Sequence, residues 1–290
     1  MTTRPAELSG LDARYLPLFD RAVEVFAADD RVRAVWLHGA CGRGAADAGS
    51  DLDLSVAVRD EDFDTYADQW RDWLADITPT VVARPIGPGS FYCLTPTCER
   101  LDVISTRVSA LPDTIHTLRR RVVVFDRDNL DALVPAPDDP GPDTDRIAWL
   151  IEETIRIQAN WPVVHVRADW LLGQAGVQSM HLALYELFTE ANKPIPGMGP
   201  KHWSAKITEP QRQILADLPV PTADPDSVDH ARAVAITVFL REARTIAAAT
   251  GVAWPGTLEA AVRDYLAAEG FPLGTPVSPG PSEPPGERRG

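Results

Sequence analysis

Asp51 and Asp53 stand two residues apart in the stretch Ser50-Asp51-Leu52-Asp53-Leu54-Ser55-Val56-Ala57-Val58. This alternation has the period of a β-strand, in which residues i and i+2 share a face. Both carboxylates therefore point the same way, while Leu52 and Leu54 point into a core. Two like charges side by side repel each other unless a cation lies between them. A hard divalent ion that takes oxygen ligands, Mg²⁺ first, suits the pair. Just upstream, Gly39, Gly42, Gly44 and Gly49 let backbone approach an anion closely. Arg43 adds a guanidinium matched to phosphate oxygens. Metal-holding carboxylates beside a phosphate cradle point to phosphoryl or nucleotidyl transfer.

A third acid lies in Arg100-Leu101-Asp102-Val103-Ile104-Ser105. The alternation puts Asp102 and Ile104 on one strand face, with Leu101 and Val103 on the other. Aspartate is disfavoured inside strands. Two readings are open: an edge-strand residue facing water, or a third ligand beside Asp51 and Asp53. The existing pair favours the ligand. Glu99 is the neighbouring competitor, at the start of the strand.

The elements that position these residues follow from periodicity. A helix is expected over 12–28, a strand over 33–37, the carboxylate strand over 51–58, and one amphipathic helix over 63–77. Strands follow at 80–84 and 90–94, with a turn at 85–89 between them. Further strands fall at 100–105 and 122–126, and a short helix at 130–134. The proline- and aspartate-rich run 135–143 reads as a linker. Beyond it the pattern is helical. One helix is capped by Asp143 or Thr144 and carries Ile147, Leu150, Ile151 and Ile155. A second runs over 166–188 and is loosened around Gly173 and Gly176. An irregular loop covers 192–203, and two more helices cover 228–249 and 258–268. The expected class is α+β, with a mixed sheet flanked by helices (1–140) followed by a helical bundle (141–270). Residues 271–290, rich in Pro, Gly and Ser, are expected to be a disordered tail.

Composition sets outer limits. The chain has 290 residues and a formal net charge of −14. That charge is a poor surface for nucleic acid. It suits a small cationic substrate, although an acidic surface also serves solubility alone. No apolar run approaches a membrane span, and the first residues lack a signal-peptide core, so a cytoplasmic protein that binds no membrane is expected. The three cysteines, Cys41, Cys93 and Cys98, form neither a disulfide framework nor a zinc pattern. Cys41, in the glycine loop, reads as a small filler.

The string Gly39-Ala40-x-Gly42-Arg43-x6-Ser50-Asp51-Leu52-Asp53-Leu54 resembles the signature of the nucleotidyltransferase superfamily that shares the DNA polymerase β-like fold. It looks most like the kanamycin-type aminoglycoside nucleotidyltransferases. Leu150-Ile151-Glu152-Glu153, followed by Asn160-Trp161, resembles that family's base-bearing helix, so the likeness runs over roughly residues 30–190. The resemblance implies transfer of a nucleoside monophosphate, AMP first, from a nucleoside triphosphate to a hydroxyl of a small cationic molecule such as an aminoglycoside. It implies two Mg²⁺ ions held by Asp51, Asp53 and Asp102. Gly39, Arg43, Ser50 and Asp51 would bind nucleotide, and Asp102, Glu152 or Glu153 would be the catalytic base. A homodimer is also consistent with it, because related active sites can be built from two chains.

The sequence departs from the family pattern at three positions. Ala40 stands where the family has serine, Arg156 where it has the base, and Asn160 where it has lysine. Glu152 and Glu153 could supply the base from the same helix face, or could simply pair with Arg156. Lys193, Lys201 and Lys206 flank the proline-rich loop and could offset the missing hydroxyl. The other functional readings are a nucleotidyltransferase acting on a protein or RNA, as in toxin–antitoxin systems, and a non-catalytic nucleotide-binding module.

Overall fold

The computed structural model describes residues 4–195, 199 and 201–273. Its contacts group into two compact units. One comprises Met1–Asp139 together with Ile195–His202; the other comprises Pro140–Pro194 and the chain from Trp203 onward.

The first unit is built on six strands: β1 (Val32–Leu37), β2 (Leu52–Val58), β3 (Val82–Gly87), β4 (Ser90–Leu94), β5 (Arg100–Arg107) and β6 (Val122–Asp126). They form one mixed sheet in the order β3-β4-β5-β2-β1-β6. β2 and β5 are parallel, and the other neighbours are antiparallel. Five helices accompany the sheet: α1 (Tyr15–Ala28), α2 (Gly39–Gly42), α3 (Phe63–Asp68), α4 (Trp70–Ile77) and α5 (His116–Arg119).

One sheet face is apolar because the strand residues on it alternate with polar ones. Leu52, Leu54 and Val56 of β2 and Leu101 and Val103 of β5 bury there with Phe19 and Phe26 of α1 and Trp73 and Leu74 of α4. Each fully buried side chain of this size contributes about 1.5–3 kcal/mol, so this face fixes which way every alternate residue points. The opposite face carries Asp53, Ser55, Asp102 and Ile104. Its far end is closed by a smaller cluster of Ala34, Trp36, Ala57, Leu111, Leu130 and Val134. The last three come from, or directly follow, the 3₁₀ turns Val108–Asp113 and Leu130–Leu133.

Three local expectations need correction here. The helix expected over 63–77 is two helices, because Gln69 leaves helical geometry with φ −87° and ψ 11°. β3 runs through Pro85 to Gly87, so the turn is confined to Pro88 and Gly89. Pro85 is tolerated because β3 is an edge strand, where a missing N–H costs no ladder bond. The segment 130–134 is a 3₁₀ turn rather than a regular helix.

The second unit contains α6 (Thr144–Ile157), α7 (Trp161–Arg167), α8 (Trp170–Ala191), α9 (Glu209–Ala216), α10 (Pro225–Thr250) and α11 (Gly256–Ala268). Side chains close the N-termini of α6, α8, α9 and α10. Asp143, Asp169 and Asp224 accept the backbone N–H groups of Arg146, Leu172 and Ser227, and Thr208 forms a capping box with Gln211. Ile147, Ile151, Val177, Leu184, Val228 and Phe239 lie at the heart of their shared core. The expected helix over 166–188 is divided at Ala168, which adopts a left-handed conformation (φ 49°) between α7 and α8. α8 then passes unbroken through Gly173 and Gly176. Gly173 is a packing residue, since a Cβ there would lie 2.6 Å from Val228 Cγ1. Composition places residues 271–273 in the tail, but they are not part of it. Leu273 is fully buried in this core and Phe271 packs on it, because these two apolar residues still have a core to cover. Residues 274–290, the rest of the expected tail, lie outside the described residues. No helix among the described residues is long and apolar enough to cross a membrane.

Candidate metal and phosphate site

The site is assembled from strand register. In the parallel pair β2·β5, Asp53 is aligned with Asp102 and Leu52 with Leu101. Leu52 and Leu101 are fixed in the core, so Asp53 and Asp102 emerge together on the other face. Asp51 precedes β2 by one residue and joins them. The three carboxylates each offer an oxygen within 4.8 Å of one another. They line a cavity of about 520 Å³ with Gly39, Ala40, Arg43 and Ser50.

The electrostatics of the cluster are strained in one direction. The Asp53 carboxyl is pushed up to about 7, first by burial and then by the charges of Asp51 and Asp102. Protein cations offset part of this repulsion. Arg100, two residues before Asp102 and on the same strand face, donates Nε–H and Nη2–H to the two Asp102 oxygens, each at 2.7 Å. Its Nε is also 3.5 Å from Asp51. Lys201 Nζ lies 3.0 Å from the Asp51 carboxylate. Arg43 is half-buried, and burial lowers its pKa.

These residues fit a divalent cation. The donor set is three hard carboxylate oxygens within reach of one ion. The raised pKa of Asp53 comes first from burial and then from the neighbouring carboxylates, and a bound cation would offset both.

The glycine loop is tighter than a simple cradle. Residues Gly39–Gly42 form one helical turn, α2. Gly39 has φ +57°, and a Cβ on it would fall inside the Asp53 carboxylate. Glycine is therefore required there for both backbone and space. Gly39 and Gly49 line the cavity, whereas Gly42 and Gly44 are not among its lining residues. Gly42 instead packs against the carbonyls of Arg120 and Leu37. Ser50 lines the cavity, but its hydroxyl donates to Asp47 Oδ1 at 3.1 Å and so shapes the loop.

Other singled-out residues have structural occupations. Glu99 accepts from the hydroxyls of Thr95 and Thr97, so its carboxylate is not a member of the cluster. His38 is buried, and burial lowers its imidazole to about 4, leaving it neutral. Cys41 is pushed up to about 11 by burial and then by Asp53 and Asp51, which makes it an inert thiol. Glu152 and Glu153 lie on α6 of the helical unit. Glu153 accepts two hydrogen bonds from Arg156, at 2.7 and 2.6 Å, as the ion-pairing alternative anticipates. Lys193 pairs with Glu190 at 2.8 Å.

Sequence reasoning did not assign Arg100 to the site. The signal was present, because Arg100 and Asp102 are i and i+2 on one strand. His202 and Gly199 also line the cavity, and no local pattern marks them.

No protein-family model matches the chain. No curated protein matches it either. Among solved structures, it is similar to an aminoglycoside 6-adenyltransferase from Bacillus subtilis, with 12% identity and a TM-score of 0.34 over 92% of this chain and 99% of that one. It is also similar to a nucleotidyltransferase-like protein from Exiguobacterium sibiricum 255-15, with 12% identity and a TM-score of 0.33 over 86% of this chain and 89% of the other. Superpositions this loose transfer no residue roles.

Proposed function

We propose that the protein is a metal-dependent nucleotidyltransferase that transfers a nucleoside monophosphate, AMP first, from a nucleoside triphosphate to a hydroxyl of a small molecule. The observation that carries the reading is the alignment of Asp53 with Asp102 across a parallel strand pair, with Asp51 beside them and the turn of Gly39 packed directly on Asp53.

Asp51, Asp53 and Asp102 would hold Mg²⁺, in one or two ions. When bound, the metal supplies charge stabilisation at the phosphoryl oxygens and at the attacking oxygen. The protein does the positioning. Arg43 and Lys201 bring positive charge to the triphosphate side of the cavity. In the transfer, the acceptor oxygen bonds to the α-phosphorus as the α–β phosphoanhydride bond breaks, and pyrophosphate leaves with the bonding pair. The hydroxyl proton passes to a carboxylate. Asp102 is the base within the cluster. The net charge of −14 puts aminoglycosides on the first acceptor panel.

The test is pyrophosphate release with Mg²⁺, labelled ATP or GTP and an acceptor panel, run beside Asp53→Asn. Release that depends on acceptor, metal and Asp53 is expected. A thermal shift with ATP and Mg²⁺ but no release with any acceptor would favour the binding-module reading. Neither shift nor release would remove nucleotide chemistry from this site.

A further inference from the structure

The strand face that carries the carboxylates continues past them. Ser55 follows Asp53 by two residues and Ile104 follows Asp102 by two, and the register aligns Ser55 with Ile104. On the other side Ser55 is aligned with Trp36 of β1. Two residues of strand span about 6.6 Å, so this second row begins one substrate-sized step from the acidic cluster.

A separate cavity of about 310 Å³ stands on that row. Ser55, Ile104 and Trp36 line it together with Ala110 and Leu111 of the 3₁₀ turn and with Leu118. Its walls are mostly apolar, and Ile115 at the lining is 62% exposed. The charged groups in the lining are Asp113 and Arg121. The Arg121 guanidinium is already committed, donating to Asp131 Oδ1 and to the carbonyls of Asp131 and Arg119 at 2.6–2.8 Å. The Trp36 indole N–H is likewise spent on Asp131 at 2.8 Å. Ser55 Oγ differs from these: it is buried and has no hydrogen-bond partner among the described residues. Buried polar atoms are ordinarily paired.

We propose that this cavity seats the acceptor, and that the acceptor is a small alcohol with an apolar or aromatic body and a polar group that reaches Ser55 Oγ. The body lies over Trp36, Ile104 and Leu111, and the reacting hydroxyl points along the strands toward Asp53 and Asp102. The inference rests on the nucleotidyl-transfer reading and narrows its acceptor. A polycation finds no matching acidic wall here, since Asp113 stands alone. The volume and the mix of apolar wall with one convergent polar group are those of small-molecule sites.

The test uses the full chain and two probe alcohols, 2-phenylethanol and indole-3-ethanol, with kanamycin as the polycationic comparison. Binding is read by calorimetry and by saturation-transfer NMR, neither of which needs turnover. We expect saturable binding of both alcohols and none of kanamycin at this cavity. Ala110→Phe, which fills the cavity from the 3₁₀ turn, should weaken alcohol binding at least tenfold. Ser55→Ala removes the unpaired hydroxyl and should weaken it about three- to tenfold, the value of one hydrogen bond. Thermal melts establish that each variant is folded, and Ser55→Ala carries the test if Ala110→Phe is not. No saturable binding, or equal binding by wild type and the folded variants, overturns the seat. Displacement of the probes by ATP alone also overturns it, because the cavity would then hold the base. The ATP–Mg²⁺ thermal shift, measured in parallel, reports on the nucleotidyl-transfer reading separately. An intact shift with absent probe binding sinks only the acceptor seat; probe binding without the shift sinks the transfer reading and, with it, the cavity's role as acceptor seat, leaving a small-alcohol site.

Discussion

Replacing Asp53 by asparagine should stabilise the metal-free protein at neutral pH while abolishing its response to metal. Asp53 is pushed up to about 7 by burial and by Asp51 and Asp102. A carboxyl whose folded pKa lies above its unfolded value favours the folded state when protonated. Its contribution is fully present below the unfolded pKa, 3.8, and is lost as pH rises through about 7. The interval between those values sets a ceiling of about 4 kcal/mol on the cost of ionising Asp53 in the fold. That value already includes the pull of Arg43 and Arg100; because side chains relax around the charge, a gain on the order of 1–3 kcal/mol is expected for Asp53→Asn. The assay is denaturant melting of wild type and variant in EDTA from pH 4 to pH 8. The two proteins should be nearly equal at pH 4, diverge steadily as pH rises to about 7, and keep a constant gap above it, with the variant the more stable. Added Mg²⁺ or Mn²⁺ should raise the wild type alone. A variant less stable than wild type at pH 8, or a gap that does not change with pH, would refute the reasoning.

Four further substitutions test the assignments. Gly39→Ala forces a side chain into the Asp53 carboxylate at a left-handed backbone position; it should cost at least about 1–2 kcal/mol and weaken metal binding, both read from melts with and without Mn²⁺. Ala40→Ser places a hydroxyl in the lining of the phosphate cavity and should tighten ATP binding about three- to tenfold, as calorimetry would show; unchanged or weaker binding would mean that Ala40 does not face the phosphates. Glu153→Gln breaks the hydrogen bonds from Arg156 and should leave the transfer rate within about twofold, as expected of an exposed ion pair, whereas Asp102→Asn should remove activity. A large rate loss in Glu153→Gln would return Glu153 to the role of base.

The parts of the molecule that were legible in the sequence are those written in local periodicity. Asp51 and Asp53 share a face because residues i and i+2 of a strand always do, and Leu52 and Leu54 show which face is the core. The same rule separated Asp102 from Leu101 and Val103. Long-range pairing was not legible. No local pattern states that β2 and β5 run parallel with Asp53 opposite Asp102, and that register is what brings the third acid to the pair. Local rules also misread positions whose context is tertiary. Local pattern places Pro85 in a turn, yet an edge strand accommodates it. Local propensity makes Gly173 a weak point in a helix, yet it makes room for Val228. Ser50 does line the cavity that the motif leads one to expect, and the hydrogen bond of its hydroxyl to Asp47 is a tertiary detail that the motif does not state. Lys201 was one of three equal lysines in the sequence, and only the fold distinguishes it.

The α/β unit is discontinuous in the chain: Ile195–His202 belongs to it, although the residues on either side belong to the helical unit. Lys201, which meets Asp51, is carried on that return segment. During synthesis the sheet, its covering helices and all three carboxylates have emerged by residue 139, but the acidic cluster must wait until α6, α7 and α8 have also been made before Lys201 arrives. Until then Asp51 is without that lysine, and the nascent cluster carries more uncompensated negative charge than the finished one. Expression of residues 1–139 alone would preserve this interim state. Such a fragment should depend more strongly on added divalent cation than the full chain does, so the site's last ion pair also marks that synthesis has passed residue 201.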